Sequence, residues 1–296
     1  MAGLLATAGC GKRGAESAAS PAGSSPATPA VPGEKRYPLT GEILKADLER
    51  KVLIVTHDEI KDYMPAMTME FEVTNSGDLA NAKPGQRIRA ELVERGEHYF
   101  LEKIWPADPV VDQAIAAGTN ALAQDTSMRG RGVYREIGEG MPSFTLLDQE
   151  GRAVSASRFH GKQVVLNFIF TRCPIATMCP AATMRMMDLQ KAAAAASAKN
   201  FELVSISLDP TYDTPGVLKE YASIRGIDTA NWSFLTGPDA AVRHLLAQLG
   251  IIREFEGDTI KHTLATVLIN EQGKIIYRAD GSAWQVDDFV RRLKKS

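Results

Sequence analysis

The sequence predicts two domains, a small all-β barrel followed by an α/β domain. The chain has 296 residues, and a domain typically takes roughly 100–200 residues. Its pattern also changes along its length. Short strands with turns fill residues 37–106, whereas apolar strands alternate with helices in residues 138–296. Residues 107–137 are interpreted as a connector with a short helix at 110–122.

The first domain contains several runs in which apolar and polar residues alternate, as in half-buried strands. These runs are residues 52–55, 67–73, 87–92 and 99–101. A Lys-Pro-Gly-Gln turn at 83–86 separates two of them. About five strands in so short a segment predict a small closed barrel, which leaves few exposed strand edges.

The second domain begins with a nearly continuous apolar run at 164–170, typical of a central strand covered on both faces. Similar runs follow at 203–208 and 264–269. Helices are predicted at 180–199, 214–226, 238–249 and 285–295. Thr214 and Pro215 supply an N-cap and a first-turn proline for the second of these helices.

Composition excludes some classes of protein. The formal charge of −2 argues against a protein held to nucleic acid by bulk positive charge. Three cysteines, at positions 10, 173 and 179, are too few for a small disulfide-stapled scaffold. The sequence has no phosphate-binding glycine loop, haem attachment motif or serine nucleophile elbow.

Residues 1–10 are small and apolar and end at Cys10, without the length of a membrane-spanning helix. Ala8-Gly9-Cys10 resembles a bacterial lipoprotein cleavage site. The resemblance implies that Cys10 is lipidated and anchors a periplasmic or other extracytoplasmic protein to a membrane. The alternative is a plain N-terminus with an incidental cysteine. Residues 11–36, rich in Ala, Ser, Pro and Gly, are predicted to be a disordered tether.

Cys173 and Cys179 lie where the first apolar strand of the second domain ends and a helix begins. The partial positive charge of a helix N-terminus favours thiolate, which is both a nucleophile and a soft ligand for Cu(I) or Zn. His262 precedes another core strand and is predicted to lie near the same sheet edge. The alternatives are two buried cysteines or an inert disulfide, together with a structural histidine.

Residues 138–296 resemble the SCO/SenC family of thioredoxin-like copper proteins. The resemblance rests on FIFTRCP with the second Cys-Pro, on the run LDPTYDTP at 208–215, and on the spacing to His262. It implies that Cys173, Cys179 and His262 bind copper. It also implies copper delivery, or thiol reduction, during assembly of the dinuclear copper centre of cytochrome c oxidase. Five residues separate the cysteines here, where the family usually has three.

The first domain has a separate group of soft ligands. Met67 and Met69 are two residues apart, so in a strand their thioethers point to the same face. Thioether sulfur with imidazole nitrogen suits Cu(I) or Ag(I). The alternative is that the methionines fill the inside of the barrel.

His57 and the run at 64–69, within residues 37–106, resemble the CusF-like periplasmic copper-binding family of OB-type barrels. The resemblance implies that His57, Met67 and Met69 bind Cu(I). In that family a tryptophan caps the metal. Met64 stands at the position of that tryptophan, so a third thioether is a candidate replacement.

These interpretations predict an extracytoplasmic copper chaperone that holds Cu(I) and/or Cu(II), and they do not predict a classical enzyme. Its role would be cytochrome c oxidase assembly or copper homeostasis. The expected partners are a copper-accepting protein, such as the oxidase copper-site subunit, and a thiol–disulfide reductant. Intramolecular transfer from the first site to the second is a further hypothesis. The alternative function is a thiol–disulfide oxidoreductase or peroxide reductase that uses Cys173 and Cys179 without delivering copper.

Overall fold

The first five strands close into a barrel, as the sequence predicts. The computed structural model describes residues 34–257 and 259–293, so the segment with Cys10 and almost all of the predicted tether lie outside the described residues. The last three residues of the predicted tether, 34–36, lie in a strand instead. The strands are β1 (Glu34–Asp47), β2 (Val52–His57), β3 (Met67–Val73), β4 (Arg87–Arg95) and β5 (His98–Pro106). Their order around the barrel is β1-β2-β3-β5-β4. Neighbours are antiparallel except for β3 and β5, which are parallel.

The barrel interior is filled by apolar side chains from all five strands. The fully buried ones include Leu39, Ile43, Leu53, Phe71, Leu92 and Leu101. A short helix that the sequence did not predict, α1 (Ser76–Asn81), follows β3, and the side chain of Asn75 caps it by accepting from the amide of Asp78. Helix α1 contacts the second domain, as described below.

The connector contains a helix longer than predicted, α2 (Pro109–Arg129). Asp108 caps its first turn by accepting from two backbone amides, and the helix ends before Gly130. Its Leu122 is buried in the core of the second domain. Gln248 holds the same region, because its side-chain amide donates to the carbonyl of Leu122 (3.2 Å) and to the hydroxyl of Thr126 (3.1 Å).

The second domain is built on a five-stranded sheet with the order β10-β9-β8-β13-β14. Strands β8, β9 and β10 are parallel, and β13 is antiparallel to both of its neighbours. The strands after the barrel are β6 (Thr145–Leu147), β7 (Ala153–Ser155), β8 (Gln163–Ile169), β9 (Phe201–Ser207), β10 (Trp232–Leu235), β11 (Arg253–Glu256), β12 (Thr259–His262), β13 (Ala265–Ile269) and β14 (Ile275–Asp280). Strands β6, β7, β10, β11 and β12 are not predicted from the sequence, because three or four residues are too few to show a period.

Helices alternate with these strands. They are α3 (Cys179–Ala195), α4 (Pro215–Ile224), α5 (Asp239–Gln248) and α6 (Val286–Leu293). The predicted 180–199 helix ends at Ala195 because Ser197 and Asn200 adopt left-handed backbone angles (φ 57° and 53°), which a helix cannot continue through. None of the helices in the described part of the chain is long and apolar enough to cross a membrane.

Candidate metal-binding sites

The second domain brings one predicted cysteine into contact with the predicted histidine. Cys179 is the first residue of α3 and is fully buried. Its Sγ lies 3.5 Å from Nε2 of His262, at the end of β12. The ring of Phe170, which directly follows β8, packs edge-on against the His262 imidazole with 5.6 Å between ring centroids. Residues distant in sequence are thus joined at the edge where β8 ends.

The tautomer of His262 follows from its second contact. Nδ1 lies 3.1 Å from the carbonyl oxygen of Thr263. Because a carbonyl can only accept, Nδ1 carries the proton and Nε2 keeps a free lone pair. The thiol of Cys179 therefore donates to Nε2. A soft metal ion bound by both atoms would take the place of that thiol proton.

Cys173 lies beside this pair on an exposed loop. It is a half-buried free thiol whose Sγ is 3.8 Å from the carbonyl of Ile175, and it interacts with the thiol of Cys179. No group of three His, Cys, Asp or Glu side chains within residues 34–257 and 259–293 is arranged closely enough to hold a metal ion. A three-ligand site would therefore require the Cys173 thiol to move towards Cys179 and His262.

Burial controls the proton affinities of the pair. It raises the pKa of the Cys179 thiol well above its usual range, and the neighbouring Cys173 adds to the effect. The sequence-based expectation that the helix N-terminus favours thiolate is therefore wrong for Cys179, since loss of solvation outweighs the helix charge. Burial also lowers the pKa of His262, against the opposing hydrogen bond to Thr263. The imidazole stays neutral, which is the form that binds metals.

Two aspartates that the sequence analysis did not single out as site residues hold the start of the cysteine loop. Thr171 donates from its amide and its hydroxyl to the carboxylate of Asp213. Asp213 also accepts from the hydroxyl of Ser207 (2.6 Å). Arg172 donates from Nε to Asp209 (2.7 Å). Asp209 could have been found from the sequence, because it lies two residues after the buried strand β9, and Asp213 belongs to the same loop, six residues after that strand.

Asp213 is completely buried, and burial raises its pKa to about 7 although its hydrogen bonds to Ser207 and Thr171 oppose the shift. Its removal would leave the donors of Thr171 and Ser207 without an acceptor. The LDPTYDTP run that carried the family resemblance therefore has a physical role here. It fixes the end of β8, from which the cysteine loop departs.

The barrel places its three main candidate ligands on neighbouring strands. His57 ends β2 and pairs across the sheet with Met67, the first residue of β3. Met69 lies two residues further along β3, on the same face as Met67. His57 is buried, Met69 half-buried and Met67 exposed. The imidazole thus lies within the barrel wall and the thioethers continue from it towards solvent.

His57 has a free nitrogen that the rest of the barrel does not use. Its Nδ1 lies 2.7 Å from the carbonyl oxygen of Asp58, so Nδ1 carries the proton. Nε2 is buried and has no hydrogen-bond partner among the described residues. A buried acceptor without a partner typically costs about 1–3 kcal/mol. A ligand that uses this lone pair would remove that cost, and Cu(I) fits an imidazole with two thioethers.

Met64 lies in the loop between β2 and β3. Its amide and carbonyl pair with the backbone of Ile60 at 3.0 Å and 2.9 Å, which closes a tight turn. Its side chain, like that of Met69, packs against the barrel core. Strand β1 can run close behind His57 because residue 41 is glycine, since a Cβ there would lie 2.9 Å from the Cα of His57.

Comparison with known proteins finds a matching family for each of the two domains. The sequence model of the SCO1/SenC family matches residues 134–296, and that of the copper binding periplasmic protein CusF matches residues 36–106. The SCO1 protein homolog of Bacillus subtilis is 32% identical over 161 residues, which are 52% of this chain and 80% of that protein. An SCO2-like protein of Rickettsia typhi is 28% identical over 173 residues, 54% of this chain and 80% of that protein.

A solved structure agrees with the sequence matches. The crystal structure of a SCO1/SenC family lipoprotein from Bacillus anthracis aligns with a TM-score of 0.50 and 27% identity, and the alignment covers 55% of this chain and 98% of that one. The SCO1/SenC match alone takes in more than half of the sequence. The chain therefore belongs to the SCO1/SenC family, whose thioredoxin-like domain is preceded here by a CusF-like barrel.

Proposed function

We propose that this protein is an extracytoplasmic copper chaperone with two copper sites of different chemistry. The observation that carries the proposal is the 3.5 Å contact between Cys179 Sγ and His262 Nε2. The buried thiol of Cys179 can exchange its proton for a soft metal, and the half-buried neutral imidazole of His262 can bind the same metal through the free lone pair of Nε2. Together they supply two of the three ligands of a copper site. Cys173 would complete it from the adjacent loop.

The barrel would supply the other site, through His57, Met67 and Met69. Support comes from the unpartnered Nε2 of His57 and from the register that pairs His57 with Met67. Thioethers do not titrate and bind Cu(I) as neutral ligands. Met64 is the candidate for the position that a capping tryptophan takes in CusF-like proteins. We take residues 37–106 and 138–296 as the units that carry these two sites.

The acceptor we propose is the copper-site subunit of cytochrome c oxidase, with general copper homeostasis as the broader role. The family membership supports this choice. We further propose that the protein works in the periplasm and is anchored through a lipidated Cys10. The relative from Bacillus anthracis is itself a lipoprotein.

Transfer to an acceptor tests the proposal directly. Copper-loaded full-length protein would be mixed without oxygen with the copper-free soluble domain of an oxidase copper-site subunit. We expect copper to appear in the acceptor, measured by metal analysis after the two proteins are separated. The matched control is the Cys173→Ser/Cys179→Ser variant, loaded in the same way. Equal transfer from this variant, or none from the native protein, would overturn the proposed delivery role.

A second candidate function rests on the unequal exposure of the two free thiols, since Cys173 is half-exposed and Cys179 buried. In thiol–disulfide exchange the two thiols would become a disulfide while a disulfide in the acceptor becomes two thiols, with two electrons and two protons passing across. This function needs no copper. It predicts that His262→Ala keeps the exchange rate within a few fold, whereas copper delivery predicts a large loss of copper transfer.

A further inference from the structure

The barrel is docked on the second domain through a short helix pair. Helix α1 packs against α4 with their backbones in close approach. A Cβ on Gly77 would lie 1.9 Å from the carbonyl oxygen of Gly216, and a Cβ on Gly216 would lie 2.3 Å from the amide nitrogen of Asp78. Neither glycine can therefore carry a side chain unless the two helices move apart.

A buried carboxyl group lies at the centre of this contact. Asp78 is 3% exposed, and its Oδ1 accepts from the hydroxyl of Thr214 at 2.6 Å. Polar pairs between the two domains surround it. They join Asn75 Nδ2 to Glu220 (2.8 Å), the Ser76 hydroxyl to Glu220, and Lys219 Nζ to Asn81 (2.8 Å). Within the second domain, Lys219 Nζ also donates to Glu150 (2.9 Å).

The contact adjoins one candidate copper site and is remote from the other. Thr214 caps α4 and directly follows Asp213, which holds the start of the cysteine loop. In the barrel, α1 follows the last residue of β3, whereas Met67 is the first. At about 3.3 Å per residue, the six steps from Met67 to Val73 span about 20 Å. The methionine end of β3 is therefore about 20 Å from the end of the strand that leads into α1.

We infer that the α1–α4 contact is a latch between the two domains. When it is closed, it holds the His57–Met67–Met69 site away from the Cys173–Cys179–His262 site, and copper passes directly between them only after it opens. The part of this inference that concerns copper rests on the proposed function. The part that concerns the latch rests on the contacts alone.

The charge of Asp78 gives the latch a pH dependence. Burial raises the pKa of Asp78 to about 7, and the carboxylate of Glu220 adds to the rise. Hydrogen bonds from Thr214 and the backbone of Ile104 oppose it. Lys219 and Glu150 are the other charged groups around the contact, and they pair with each other.

The direction of the pH dependence follows from the pKa of Asp78 in the closed and open states of the latch. Once the latch opens, Asp78 faces water and returns towards its ordinary pKa near 3.8. The closed state then binds the proton more tightly than the open state, so it loses stability as the pH rises from about 4 to about 7 and stays level above that. Each pH unit in this window changes the closed-to-open ratio by up to about tenfold.

Small-angle X-ray scattering of the copper-free full-length chain tests the latch. We expect Gly216→Val to increase the radius of gyration relative to the native protein at pH 5. The matched control is Gly140→Ala, because a Cβ at that position meets only the carbonyl of Gly273, at 4.0 Å. Circular dichroism checks that each variant folds. If Gly216→Val does not fold, Gly77→Ala replaces it, because its added Cβ also meets the backbone of the other helix. Whichever of the two variants folds is called the wedge variant.

Asp78→Asn removes the negative charge of the buried carboxyl group but keeps nearly the same side-chain shape, so it tests the charge separately from the packing. It should keep the compact form at both pH 5 and pH 8, whereas the native protein should expand at pH 8. Identical radii for the native protein and a folded wedge variant at pH 5 would overturn the latch. An unchanged pH response in Asp78→Asn would overturn its control by this carboxyl group.

The gating step is tested by adding one equivalent of Cu(I) to the reduced full-length chain and following the thiolate-to-copper absorption. The slow phase that reports transfer from barrel to thiols should be at least about tenfold faster in the folded wedge variant than in the native protein at pH 5. Equal rates would overturn the gating. Failure of either site to bind Cu(I) would overturn the proposed function instead, and would leave the scattering result standing.

Discussion

The two candidate copper sites orient their histidines in the same way but surround them with different chemistry. In each site Nδ1 contacts the carbonyl of the next residue, at 2.7 Å for His57 and 3.1 Å for His262. This contact turns Nε2 towards the prospective metal in both cases. What meets Nε2 differs, since His262 faces the thiol of Cys179, whereas His57 has no partner among the described residues.

The difference determines what each site requires before it can bind copper. The barrel ligands are an imidazole and thioethers, and three of the four candidates lie on two paired strands. The thioethers need neither deprotonation nor a reducing partner. The thiols must be reduced and must release protons, and Cys173 must also move. The barrel ligands therefore suit capture of Cu(I), whereas the cysteine ligands suit release of copper that depends on redox state.

The largest predicted effect is the loss of the second site in Cys179→Ser. A hydroxyl is a hard ligand that Cu(I) binds poorly, so the bound copper should fall by one equivalent while the barrel site remains. Anaerobic titration with a chromophoric Cu(I) competitor measures this. Cys10→Ser is the matched control and should leave the stoichiometry unchanged. Retention of the full copper stoichiometry in Cys179→Ser would show that the second site does not need the Cys179 thiol.

Oxidation should distinguish the two sites in the native protein. A mild thiol oxidant that joins Cys173 and Cys179 removes both thiolate ligands, so the second site should lose its copper. The barrel site should keep its affinity within about twofold, because thioethers and imidazole withstand such treatment. Copper counts before oxidation and after re-reduction provide the measurement. A parallel loss from both sites would show that they do not differ in redox chemistry.

His57 should show opposite effects on binding and on stability. We expect His57→Leu to weaken Cu(I) binding by the barrel by at least about 10–100-fold, since changes even in groups that only support metal ligands cost that much. Without copper, the variant should be no less stable, and more stable by up to about 1 kcal/mol, because it removes an unpartnered buried nitrogen. Urea unfolding with and without Cu(I) measures both effects.

His98→Leu is the control for His57. His98 is exposed and pairs with Glu72 on the barrel surface, so its replacement should leave Cu(I) binding unchanged. A clear loss of copper-free stability in His57→Leu would mean that this histidine has a packing role. The case for a ligand at Nε2 would then fail.

The smallest predicted effect concerns Met64. Leucine has nearly the volume of methionine, so Met64→Leu and Met67→Leu remove sulfur with little change in packing. Met67→Leu should weaken Cu(I) binding more than Met64→Leu, because Met67 is paired with His57 whereas Met64 lies in the preceding turn. Competition titrations of the two variants rank them. A larger loss in Met64→Leu would make it a principal ligand and Met67 a secondary one.

Periodicity was enough to predict four of the five barrel strands, all except β1, and the alternation of strands and helices, since these features depend on local sequence. The contact of Cys179 with His262 could also be predicted in outline, because the cysteine loop follows one core strand, His262 precedes another, and these strand ends meet at one sheet edge. The ligand assignments themselves stay predictions.

The remaining features depend on packing between distant residues. The raised pKa of Cys179 comes from burial that no helix-end argument contains. The α1–α4 contact needs Gly77 and Gly216 to meet across 139 positions of sequence, and α1 itself is too short to show a period. The anchoring of Thr171 by Asp213 likewise joins two loops that only the folded sheet brings together.

A single titration distinguishes two independent copper sites on one chain from one shared site. Reduced full-length protein would be titrated with Cu(I) without oxygen, alongside Cys173→Ser/Cys179→Ser and Met67→Leu/Met69→Leu. We predict a stoichiometry near two for the native protein, falling by one in each double variant. A native stoichiometry of one that survives in either variant, or no binding at all, would contradict it.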